Sequence, residues 1–362
     1  MLVYYIIFIV SSILVYLADK KMRGLRGKKI CWLLAVLIPS LLAGLRAESV
    51  GTDTSGYIKA IHHLCVNDVD WKVVVGAYQC EIGYYFVNFL VTRISDSFQL
   101  LLFVLQILIL APVLLACKDN ADLVEPYLSY FLFLILFYNR SLNMCRQSIA
   151  IAICIYSVQY VRSEKIVKFL VCLMLAISIH KIAFIFLTIY IISHFLQKKE
   201  GVYYKLSFLA AVCCLIIFYK VILNKLISMG YLGSRYLYYV NSGNQNISTI
   251  ELTTKILYLI LILCVASILK KKNRYNEILI FFLVLDFLIY CIGFYANYAQ
   301  RISYYIGIFT IFVVPQIANC VNKRQKYICL FVLLFIAFAF SYKYYGISGC
   351  DGTVPYILST SM

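Results

Sequence analysis

EIGYYFVNFLVTRI, residues 81–94, decides how the whole chain is threaded. It is apolar along most of its length. A helix of that length rises only about 21 Å, however, against a hydrocarbon core about 30 Å thick, so the segment suits an interfacial or re-entrant helix better than a crossing. Counting it as a crossing would invert the orientation of everything after it, and the basic residues argue against that inversion. With 81–94 left out, Lys118, Arg162/Lys165/Lys168, Lys198/Lys199/Lys205, Lys270/Lys271/Lys272/Arg274 and Lys323/Arg324/Lys326 all fall on the same side as the dense DKKMRGLRGKK loop of residues 19–29. Such clusters hold a loop on the cytoplasmic face, beside anionic headgroups. Both termini then lie outside.

Working outward, apolar runs long enough to cross recur at 2–17, 30–45, 98–117, 127–139, 145–161, 166–179, 183–196, 206–222, 253–269, 278–295, 302–321 and 327–345. The expected fold is therefore all-α: a polytopic membrane protein of about twelve transmembrane helices, thirteen if 81–94 spans. It reads as a single integral membrane domain over 1–362, with outer loops at about 46–97 and 223–252. Hydrophobic residues make up 63% of the 362 and charged residues 14%, with a mean hydropathy of +0.88, which excludes a soluble globular chain. The formal net charge of +17 would suggest nucleic acid in a soluble protein, but here it is spent on loop clusters, and no nucleic-acid partner is expected. The first apolar run lacks a basic leader and a small-residue cleavage site and reads as a retained crossing. Tyrosines at span ends (Tyr4, Tyr5, Tyr84, Tyr85, Tyr238, Tyr239, Tyr304, Tyr305, Tyr344, Tyr345) read largely as headgroup anchors. The 14 cysteines are scattered and read as small buried hydrophobes, with Cys65 and Cys80 placed where a disulfide is possible.

The first outer loop, RAESVGTDTSGY at residues 46–57, sets an arginine, two carboxylates (Glu48, Asp53) and a Thr-Asp-Thr-Ser run in front of a helix expected from about Ser55. A helix N-terminus beside an arginine is a site for an anion; a capped turn with a snorkelling arginine is the plainer alternative. Outer-face cations are mostly arginines at span ends: Arg46, Arg93, Arg140, Arg146, Arg235 and Arg301. They oppose the topological bias, and arginine is the side chain suited to bidentate phosphate recognition. Arg140 and Arg146 lie across a tight helical hairpin, NRSLNMCRQ at 139–147. His180 ends a crossing on the same side and is placed to accept a proton or donate to phosphate. Asp286 lies mid-span with no cation evident at matching depth, which marks it as functional or paired with a hidden partner. No metal-ligand spacing, Walker loop, dinucleotide fingerprint or nucleophile elbow appears in the outer loops, so neither a metal nor a cofactor is expected.

Four pieces together, Arg46…VGTDT…Tyr57, Asn143-x-x-Arg-Gln-x-Ile-Ala150, Ser178-Ile-His180 and the late Arg301, resemble the EpsG family, which is related in kind to the Wzy-type polymerases. The similarity extends over most of the chain and is strongest from Leu45 to Tyr190. The resemblance implies a metal-independent glycosyltransferase of GT-C-like polymerase or ligase architecture in the bacterial cytoplasmic membrane. Its reaction would join polyprenyl-diphosphate-linked oligosaccharide repeat units, on the extracytoplasmic side, into a surface polysaccharide (exopolysaccharide, capsule or O-antigen). It implies Asp53 and His180 as catalytic residues, either of them the base, and Arg46, Arg140, Arg146, Gln147 and Arg301 as binders of diphosphate and sugar; Arg235 joins the binders from its place among the outer-face arginines. Partners implied are the lipid-linked oligosaccharide, membrane lipids and a chain-length regulator. The rival readings are a flippase for the same lipid-linked units, with Asp286 as coupling group, and a membrane glycan ligase or acyltransferase.

Overall fold

The computed structural model describes residues 1–22, 24–198, 221, 224, 225, 227–229, 248–294 and 297–359. Nearly all of the expected 206–222 crossing, most of the 223–252 loop and Arg235 lie outside them. Among the described residues the chain is helical, without β-strands. Among those residues, seven helical stretches are long and apolar enough to cross a bilayer: Leu2–Lys21, Leu25–Gly44, Phe98–Asp119, Thr249–Lys272, Tyr275–Ile292, Gln300–Asn319 and Lys323–Ile347. This is an all-α, polytopic membrane protein.

Two compact units are distinguished, one formed by Met1–Phe184 with Val314–Met362 and the other by Ile185–Val313. In the first, α1 (Leu2–Tyr16) buries Tyr4, Phe8, Ser11, Ser12 and Val15, one face at helical spacing. That face packs against α2 (Leu25–Gly44) and α7 (Pro126–Asn143). Pro39 interrupts the hydrogen bonding of α2, because a proline cannot donate to the carbonyl four residues back. Tyr130 of α7 supplies the missing donor, its hydroxyl reaching the Ala35 carbonyl at 3.0 Å, while Tyr138 donates to the Pro39 carbonyl at 2.6 Å. Farther along the chain, α6 (Phe98–Asp119) packs on α2 and on α8 (Cys145–Arg162), and α8 in turn on α9 (Ile166–Ile179).

The anchor reading of the tyrosines needs correction. Tyr4, Tyr84, Tyr305 and Tyr345 are fully buried in protein. Tyr4 and Tyr345 donate to the carbonyls of Thr353 and Leu136, since a phenol at the end of an apolar ring can satisfy a backbone acceptor where no water reaches.

The stretch expected as the first outer loop, about 46–97, is folded. A π-turn at Thr54–Ile58 runs into α3 (Lys59–Val66), followed by α4 (Trp71–Tyr78) and α5 (Ile82–Thr92), which pack on one another. The α5 helix has 11 residues, which rise about 16 Å, half the hydrocarbon thickness. Cys65 and Cys80, which flank α4, are free buried thiols and form no disulfide; burial, and each thiol's effect on the other, pushes Cys65 up to about 11.

At the other end, α15 (Lys323–Ser341) passes through a π-turn, Tyr342–Ile347, and a short turn, Cys350–Gly352, into an extended tail. The tail lies against the exit of α2: Ala47 N–H donates to the Ile357 carbonyl at 2.8 Å and Ser359 N–H to the Leu45 carbonyl at 2.9 Å. Arg46 and Leu358 form an antiparallel bridge there.

The described helices of the second unit include α10 (Ile185–Lys198), α11 (Thr249–Lys272) and α12 (Tyr275–Ile292). The expected crossing at 302–321 is interrupted: α13 (Asn297–Gly307) stops at Gly307, and α14 (Thr310–Val313) resumes after a turn. Asp286 does have a cation at its depth, contrary to the sequence reading. Lys255 of α11 lies 2.6 Å from its Oδ2, Ser303 of α13 donates to Oδ1 at 2.5 Å, and Lys255 also stands 4.9 Å from the centre of the Tyr290 ring. Gly307 sits against this carboxylate so closely that a Cβ there would be 3.0 Å from Oδ1.

Candidate functional site

The chain leaves α7 and enters α8 across a single residue, Met144 (φ −91°, ψ 49°). A break this short leaves helix-terminal carbonyls and N–H groups in need of partners. Arg46 meets part of that need, donating Nη2 to the Leu142 carbonyl at 2.7 Å. It is 1% exposed, and its Nε finds no acceptor among the described residues.

Asn143, the last residue of α7, ties two distant loops together. Its Oδ1 accepts from the Asp53 backbone N–H at 2.7 Å and from the Thr52 hydroxyl at 3.0 Å, while its Nδ2 donates to Asp351 Oδ1 at 3.1 Å. The same two loops meet through Gly51 N–H and the Gly352 carbonyl at 2.8 Å. Gly352 has φ +61°, and a Cβ there would stand 2.9 Å from Thr52 Cγ2, so the close approach requires glycine on both counts. Asp53 occupies the position before the π-turn but makes no capping bond with its side chain. It is exposed.

Both arginines of the expected hairpin face this region. Arg140, in the last turn of α7, has Nε 3.7 Å from Asp351 Oδ2 and lies over the Tyr344 ring at 5.2 Å. Arg146, in the first turn of α8, pairs with Glu81 at 2.7 Å and lies over the Tyr57 ring at 5.1 Å. Burial raises the Tyr57 hydroxyl above its ordinary pKa, with Arg146 opposing the shift. The other oxygen of Glu81 accepts from Lys181 N–H at 3.0 Å, which brings the end of α9 to the same place. His180 is the extended residue there (φ −155°, ψ 113°), and it is buried. Gln147 is buried beside Arg146 on α8.

The first unit thus gathers Arg46, Arg140, Arg146, Gln147 and Asp53 around one helix break, with His180 one hydrogen-bonded step away. A model of the EpsG family matches residues 29–358. The chain belongs to the EpsG family. The EpsG match runs from α2 to the tail that pairs with Arg46, and so covers every residue just described. No curated protein and no solved structure matches this EpsG chain.

Other residues of the EpsG chain fall elsewhere. Arg301 belongs to the second unit and is half-buried, and Arg235 is outside the described residues. Arg93 is committed to Asp68 at 2.5 Å and to the Cys65 carbonyl at 3.2 Å, a brace between α5 and α3. The described residues include no cluster of histidine, cysteine and carboxylate side chains that could hold a metal ion. Sequence reading missed Glu81 and Asp351 as site residues. For Asp351 a signal existed: a Ser-Gly-Cys-Asp-Gly run at 348–352 is a tight-turn signature, and it places a carboxylate at its apex.

Proposed function

We propose that this protein polymerises polyprenyl-diphosphate-linked oligosaccharide repeat units at the outer face of the bacterial cytoplasmic membrane, as a multi-pass glycosyltransferase of GT-C-like architecture with about twelve crossings. The observation that carries the reading is the convergence of Arg46, Arg140 and Arg146 on the break between α7 and α8, in a chain of the EpsG family. Guanidinium groups fixed in advance neutralise charge as it develops on a departing diphosphate. In this reading the arginines divide the labour: Arg46, buried and bonded to Leu142, holds the break in shape, while Arg140 and Arg146 bind the diphosphate.

In the proposed step, the hydroxyl of the acceptor sugar gives its proton to Asp53, and its oxygen attacks the anomeric carbon of the glycan on the second lipid carrier. The bond from that carbon to the diphosphate breaks, and its electron pair leaves with the diphosphate. The exposure of Asp53 suits a group that must meet an incoming sugar, and His180, buried at the edge of the set, is the alternative acceptor.

Purified protein in proteoliposomes, given lipid-linked repeat units with EDTA present, should yield a ladder of longer glycans. Arg146→Lys should slow it about 100-fold, because an ammonium cannot reproduce the guanidinium fork, and Asp53→Asn should do likewise. Unchanged ladders from both variants at normal protein levels would refute the assignment.

A further inference from the structure

The carboxylate of Glu81 touches two elements of the candidate site at once. Its Oε2 accepts from Arg146 Nη1 at 2.7 Å and its Oε1 from the Lys181 backbone N–H at 3.0 Å, and the side chain is only 10% exposed. A carboxylate bonded through each oxygen to a different element is fixed in direction as well as in place. Its backbone is fixed too. Glu81 stands immediately before α5, and at Gly83 that helix comes so near the end of α9 that a Cβ would lie 2.6 Å from the Ser178 carbonyl oxygen. Arg146 is held in turn on one nitrogen and one face. Among the described residues its hydrogen bonds run through Nη1 alone, to Glu81 and, at 3.4 Å, to the Gln79 carbonyl, while the guanidinium lies over the Tyr57 ring at 5.1 Å. The Nε–Nη2 edge is left uncommitted in a side chain that is 22% exposed, and that edge offers two parallel donors to a pair of phosphate oxygens.

We infer that Glu81 is a positioning residue: anchored on the end of α9, it turns the guanidinium of Arg146 so that the Nε–Nη2 edge meets a phosphate of the substrate. This rests on the lipid-diphosphate reading above and adds the residue that gives Arg146 its direction. Without that anchor Arg146 remains a cation but no longer holds its fork in line for two parallel bonds, and toward a diphosphate it then acts as a point charge, as a lysine does.

The coupling between the two residues is the test. Full-length protein in nanodiscs is titrated calorimetrically with inorganic diphosphate. With Glu81 in place, Arg146→Lys should weaken binding about tenfold, the loss of one bidentate contact. In a Glu81→Gln background, which keeps an oxygen for the Lys181 N–H, the same change should weaken it by less than about twofold. Removing a negative charge beside the site raises anion affinity for arginine and lysine alike, so that effect cancels from the comparison. A carboxylate that only stabilised the fold would leave fewer folded molecules, each still losing the full factor. Gly83→Ala displaces the carboxylate without altering its charge; it should shrink the cost of Arg146→Lys in the same way, and it decides the matter if Glu81→Gln does not fold. An equal cost of Arg146→Lys with and without these changes overturns the inference, as does wild-type protein that binds no diphosphate. If the coupling appears in a protein that builds no glycan ladder, the polymerase reading fails and the role of Glu81 stands.

Discussion

Asn143→Asp is an informative change because it keeps the side chain's shape and reverses one of its two roles. The new carboxylate still accepts from Thr52 and from the Asp53 N–H, but the donor to Asp351 is replaced by a second negative charge at a separation now 3.1 Å. Two unit charges that close repel by about 5 kcal/mol at an effective dielectric of 20, enough that the pair takes up a shared proton instead. One of the two carboxyls must then titrate above its unfolded value of about 4. A carboxyl whose folded pKa is raised contributes nothing adverse below its unfolded value; destabilisation grows as pH rises from there toward the folded pKa and is flat above it. The variant should therefore melt close to wild type near pH 4.5 and progressively lower toward pH 8. Asn143→Ala removes all three bonds and should cost about 3–5 kcal/mol with little dependence on pH. Thermal melts in nanodiscs across that range provide the check. Parallel pH profiles for Asn143→Asp and wild type would show that Asn143 does not join the two loops.

Two further outcomes concern the scaffold. Tyr130→Phe strands the Ala35 carbonyl opposite Pro39 and should cost about 1–3 kcal/mol; Pro39→Ala in the same chain supplies the missing N–H and should restore most of the loss, so a double variant no better than Tyr130→Phe would disprove the compensation. In the second unit, Lys255→Met or Asp286→Asn alone should destabilise by about 3–5 kcal/mol, while the paired replacement Lys255→Met with Asp286→Leu should cost markedly less. Equal losses in single and double variants would show that the two charges do not depend on each other.

Much of this architecture could be read from the chain, because apolar length is a property of local sequence. The runs at 2–17, 30–45 and 98–117 become α1, α2 and α6, and 166–179 matches α9 residue for residue. The misreadings came where long-range contacts override local pattern. The run at 302–321 does fall on a stretch long and apolar enough to cross, Gln300–Asn319, but hydropathy gave no sign of the turn after Gly307, which packs on an ion pair drawn from two other helices. The 127–139 run continues as helix to Asn143, where Arg46, 96 residues away, donates to the Leu142 carbonyl that the helix end leaves without an intrahelical partner. Arg46, Arg140 and Arg146 read as a set because, once the lysine-rich loops are assigned to the cytoplasm, these arginines are expected on the opposite side, against the charge bias. Asp351 was not, since a carboxylate at a turn near the end of the sequence gives no sign that it stands beside Arg140, 211 positions earlier.

The tail that pairs with Leu45 and Ala47 imposes an order on biosynthesis. Ribosomes deliver α1 through α9 first, so the guanidinium cluster must pass through the insertion machinery and settle in the bilayer without its final neighbour. Only after the chain has been made as far as Asp351 can the turn that carries it come to lie against Arg140, so the guanidinium and the carboxylate meet late in synthesis.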